Sequence, residues 1–89
     1  MSVDATQIEA ALQQALQPTH LDVQDDSHLH AGHAGAREGR HFTVRLTSAA
    51  FTGRSRVARH RLIYDALGSL IPAGIHALAI VARSPDEAA

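Results

Sequence analysis

HFTVRLTSAAFTGRSRVARHRLIYDALGSLIPAGIHALAIV, residues His41 to Val81, reads as strand, helix, strand. His41 to Thr47 alternates polar and apolar residues, which directs Phe42, Val44 and Leu46 toward a core. Gly53 and Ser55 mark a turn and a helix start. Val57, His60, Ile63, Tyr64, Leu67, Leu70 and Ile71 then fall at helical spacing as one continuous stripe, closed by Pro72 and Gly74. Ile75 to Val81 is a strand apolar on both faces apart from His76, and Pro85 stops it ahead of an acidic tail expected to fray. A helix between two strands of one sheet permits a right-handed crossover and makes those strands parallel neighbours.

On the N-terminal side, Ile8, Ala11, Leu12, Ala15 and Leu16 form the apolar stripe of a first helix. Asp4 and Gln7 have the spacing of a capping box, and Pro18 ends the segment. His20 to Gln24 alternates as a half-buried strand that can pair antiparallel with His41–Thr47. Between them, Ser27 to Gly39 is rich in His, Gly and Ala and has almost no large apolar residue, so it is expected to be a flexible loop. The order α-β-β-α-β predicts an α+β fold: one small domain over residues 1–89, with an ordered core of about 5–84. Its sheet is three-stranded and mixed, with helices on one face.

The bulk numbers bound the function. A chain of 89 residues fits one domain. No apolar run approaches the ~20 residues that cross a bilayer, and no basic-then-apolar leader opens the chain, so a soluble, uncleaved cytoplasmic protein is expected. There is no cysteine, so the chain supplies no thiolate to a metal or cluster. The formal net charge is −1, which argues against strong nucleic-acid binding. All 8 basic residues are Arg, and there are 7 His. Catalysis is not expected. Ser27 lies close to His28 and His30, with Asp25 and Asp26 upstream, but neighbours on a loop do not hold triad geometry.

Four collinear pieces carry a resemblance. They are DDSHLHAGHAG (Asp25 to Gly35), HFTV (His41 to Val44), FTGRSRVARHRLIYDAL (Phe51 to Leu67) and IHALAI (Ile75 to Ile80). Together they resemble the BolA family over Ile8 to Pro85, its signature being Phe-x-Gly, a short spacer and Arg-His-Arg-x-x-Tyr. The resemblance implies a fold similar to the type II KH arrangement. It also implies a partnership with a monothiol glutaredoxin and its glutathione, sharing a [2Fe–2S] cluster that the isolated protein would not hold. The family is associated with iron–sulfur cluster handling and iron regulation, and some bacterial members with transcription.

In one class of [2Fe–2S] centre two His replace two Cys at one iron. The resemblance accordingly implies one ligand from the loop and one from the last strand, carried over here to His30 and His76. His33 and His28 lie in the same loop segment, and the choice among the three stays open. His60 is expected to pack structurally, and His41 and His20 to lie at the surface. Arg54, Arg56, Arg59 and Arg61 form a basic cluster suited to an acidic partner surface, to glutathione carboxylates or to phosphates.

Two other functions compete. A KH-like nucleic-acid-binding regulator, with DNA as its partner, would use that Arg cluster. Gly32-His33-Ala34-Gly35 spells the KH G-x-x-G, but between strands rather than helices. A stand-alone metal site of His28, His30 and His33 is the other, though structural zinc sites are usually rich in Cys. Alone, the chain is expected to be a monomer or a weak dimer through a sheet edge.

Overall fold

The computed structural model describes residues 3–27 and 40–87. Helix α1 spans Ala5–Leu16 and strand β1 His20–Asp25. Strand β2 spans Arg40–Thr47 and helix α2 Arg56–Leu67. A short helix α3, Leu70–Gly74, leads into strand β3, Ile75–Arg83. The sheet order is β1-β2-β3, with β1 antiparallel and β3 parallel to β2. The α+β fold and the mixed sheet are as the sequence predicts.

Local chemistry accounts for the helix starts. Asp4 accepts a hydrogen bond from the Gln7 backbone N–H, and the Gln7 side chain accepts one from Asp4 in return, so the capping box is complete. Helix α1 ends with Gln17 in the left-handed region just ahead of Pro18. Ser55 caps α2 by accepting from the Ala58 N–H. Gly53 takes φ 73°, a turn conformation open to glycine.

The core follows the two periodicities. Ile8, Leu12 and Leu16 of α1 and Ile63 and Leu67 of α2 pack on Phe42, Val44 and Leu46 of β2. Phe51 is fully buried in the same cluster, and Val3 closes one end. Ser48, also buried, donates to the Leu16 carbonyl at 2.7 Å, satisfying a backbone group that the end of α1 leaves open.

Three details depart from the sequence expectation. The stripe from Val57 to Ile71 is not one helix: α2 stops at Leu67, and Gly68 (φ 51°, ψ −120°) turns the chain into α3. Val57 and Tyr64 are exposed, as is Ala15 of α1, so apolar spacing overstated the buried face of both helices. Strand β3 is apolar on both faces with the helices on one, as the sequence predicts: Ala77, Ala79 and Val81 face outward while Leu78, Ile80 and Ala82 pack inward. The acidic tail does not fray before Glu87, because Pro85–Glu87 form a 3₁₀ turn tied to α2.

Candidate metal and partner-binding site

His76 stands at an irregularity in the sheet. Arg40 pairs with Ile75 but His41 pairs with Ala77, leaving His76 as an extra residue of β3. Strict alternation would direct His76 inward with Leu78. The extra residue re-aims it, which is what such bulges do beside functional sites. His76 is exposed, and its ring lies 5.2 Å from that of half-buried His41, tilted by 46°. His41 alternates with buried Phe42, so the pair lies on the open face of the sheet. Below it a depression of about 460 Å³ is lined by Asp26, His41, Thr43, Ala77 and Ala79.

The same end of the sheet anchors the loop. Ser27 Oγ accepts from the His41 backbone N–H at 3.1 Å, and the Ser27 N–H donates to Asp25 Oδ1 at 2.9 Å. Asp26 accepts from the Thr43 hydroxyl, and its N–H donates to the His41 carbonyl at 2.7 Å. On the return side, Arg40 donates to Asp25 at 3.0 Å. Burial pushes the Asp25 carboxyl up, but hydrogen bonds from Ser27 and Arg40 outweigh it and hold it below its ordinary value. Asp25, Asp26 and Ser27 therefore clamp the stem of the loop beside the His41–His76 pair. His28, His30 and His33, and with them the Gly32–Gly35 motif and most of the loop expected to be flexible, lie outside the described residues.

The arginines divide. Arg54, Arg56 and Arg59 line a groove of about 720 Å³ between the start of α2 and the end of β3, while Arg61 is exposed outside it. Arg59 is already engaged: its guanidinium forks onto the Glu87 carboxylate and also donates to the Ala82 carbonyl at 3.1 Å. His60 is half-buried on the groove wall. His20 is exposed.

Two participants were missed at the sequence level. His41 looked like an ordinary surface residue, because its nearness to His76 depends on a parallel register and a one-residue shift that spacing does not reveal. Glu87 reads as part of a fraying tail, and no local signal ties it to Arg59, 28 residues away. No group of three or more His, Cys, Asp or Glu side chains among the described residues could hold a metal ion. Within that set the chain offers a two-imidazole pair and no thiolate.

The pattern described as BolA-like protein matches residues 12–87. The chain belongs to the BolA family. Among relatives, this BolA-family chain is 48% identical over 86 residues to SufE-like protein 1, chloroplastic/mitochondrial, of Arabidopsis thaliana, covering 90% of this chain and 23% of that protein. It is 40% identical over 87 residues to Protein BOLA1, chloroplastic, of the same plant, covering 93% of this chain and 54% of the relative. It thus spans about a quarter and about half of their lengths. The structure of BolA1 from Arabidopsis thaliana superposes with a TM-score of 0.84 at 38% identity, covering 100% of this chain and 99% of that one. Among the described residues of this BolA-family chain, no helix is long and apolar enough to cross a membrane.

Proposed function

We propose that this BolA-family chain is a non-catalytic cytoplasmic partner of a monothiol glutaredoxin, lending imidazole ligands to a shared [2Fe–2S] cluster during its binding, transfer or use as an iron signal. The observation that carries this reading is His76, exposed at a bulge with its ring 5.2 Å from that of His41, whose backbone N–H donates to Ser27. A neutral imidazole is a good iron ligand. The chain has no thiolate, so the sulfur ligands must come from the glutaredoxin side together with glutathione.

Chain geometry supports a loop ligand. Ser27 is fixed against His41, and His30 follows three residues later, a reach of at most ~11 Å. His30 is the loop ligand proposed to join His76. His28 and His33 are the competing loop ligands. The open depression beside His41 offers a partner a contact surface next to the ligands. A relation to a SufE-like plant protein supports an iron–sulfur setting for the domain.

The test mixes the protein anaerobically with a monothiol glutaredoxin homodimer carrying its [2Fe–2S] cluster and glutathione, followed by visible absorption and circular dichroism. The wild type changes the cluster spectrum. His76→Ala and one of His28→Ala, His30→Ala or His33→Ala abolish the change. A spectrum that never changes, with no complex on a sizing column, sinks the proposal. A DNA affinity that falls steeply with salt and vanishes on neutralising Arg54 and Arg56 would instead support the nucleic-acid reading.

A further inference from the structure

The groove at the far end of β3 is not used by the His site. Its floor is Ile80, Val81 and Ala82, and Arg54, Arg56, Arg59 and Arg83 surround it. Ala82 lies six positions beyond His76 along the strand, roughly 20 Å. Four guanidinium groups thus face a single lining carboxylate, Glu87.

The manner in which Glu87 is held describes what the groove recognises. Its two oxygens meet the Arg59 fork, and one of them also accepts the Ser84 N–H at 2.9 Å. Ser84 is buried, and its hydroxyl donates to Asp86. The tail therefore lies as a short acidic peptide against a basic wall and an apolar strand. Arg56 and Arg83 make no ion pair among the described residues. Paired with apolar side chains below, they suit further carboxylates on a peptide better than a phosphodiester chain. A nucleic acid would need a longer run of cations, and the whole chain carries a formal charge of −1.

We propose that this groove docks an acidic peptide segment of a partner protein, and that Ser84–Glu87 is a tethered stand-in which the segment displaces from Arg59. A tethered group competes at an effective concentration near the millimolar range, so the tail sets a threshold that only a multivalent acidic segment overcomes. This site is independent of the imidazole pair, and its failure would leave the cluster proposal standing.

The experiment titrates the full chain with a fluorescein-labelled hexaglutamate peptide at low salt, read by anisotropy and by amide shifts of Ile80 to Arg83. Saturable binding is expected, about fivefold tighter for Glu87→Gln and at least tenfold weaker for the Arg56→Ala/Arg83→Ala double variant. Arg45→Ala, on the open sheet face, leaves it unchanged. Should Glu87→Gln loosen the C-terminal turn, Arg56→Ala alone still reads the groove, because that residue is exposed. No saturable binding, an equal loss with Arg45→Ala, or a single-stranded DNA of equal charge binding tenfold tighter through the same residues would each overturn the proposal.

Discussion

Glu87 shows how much one side chain changes the reading of a segment. Its carboxyl is held down to about 2, chiefly by the hydrogen bonds from Arg59, with the Ser84 N–H adding to them. The sign follows from linkage. A carboxyl whose folded pKa is depressed contributes its stabilisation in full above the ordinary glutamate range, and loses it as pH falls toward 2. Both partners reach solvent, so the gain in stability is small. Carbon-13 NMR of the Glu87 carboxyl should give a midpoint near 2 in the wild type and one moved up toward its ordinary 4.5 in Arg59→Met, the Ser84 N–H still holding it somewhat below. An ordinary midpoint in the wild type would show that the fork does not form in solution. His41 teaches a related lesson: nothing in HFTV separates it from any outward strand residue, and its role beside His76 emerges only once β2 and β3 are in register.

Among the elements, the connection from α2 to β3 departs most from simple periodicity. The apolar spacing of Leu67, Leu70 and Ile71 suits one helix, but Gly68 carries φ 51° with ψ −120°, a combination that L side chains rarely adopt. The turn lets α3 swing round to deliver Ile75 to the core ahead of the bulge. A Cβ on Gly68 would meet the Asp65 carbonyl at an ordinary 3.7 Å, so the cost of Gly68→Ala is conformational rather than steric. It should amount to about 1–3 kcal/mol in urea unfolding. An unchanged midpoint would mean that α2 and α3 can run together as one helix. The strands were more legible. Phe42, Val44 and Leu46 alternate inward as their pattern predicts, because β2 is the central strand with one face on the helices. Edge strand β3 is apolar on both faces as its sequence reads, with only the face bearing Leu78 and Ile80 packed on the core; Ala and Val leave no polar mark on the outer one.

Across the whole molecule, the order of elements and the helical crossover were legible from Ile8 to Pro85, because capping, periodicity and turn residues agree along that length. The site was legible only in part. His76 could be named from the IHALAI segment, but its exposure depends on a register shift, and the pairing of Arg59 with Glu87 depends on tertiary approach. The resulting domain carries different surfaces at the two ends of one strand: imidazoles at the start of β3 and guanidinium groups at its finish. As proposed, the first end meets the cluster and the second holds a partner's acidic segment. A cluster shared in this way has histidine nitrogen of this chain on iron. The most direct measurement is pulsed EPR of the reduced glutaredoxin complex, assembled with this chain labelled by nitrogen-15 histidine. Strongly coupled nitrogen-15 in the wild type, lost in His76→Ala, is the predicted result; a reduced cluster with no strongly coupled histidine nitrogen would contradict it.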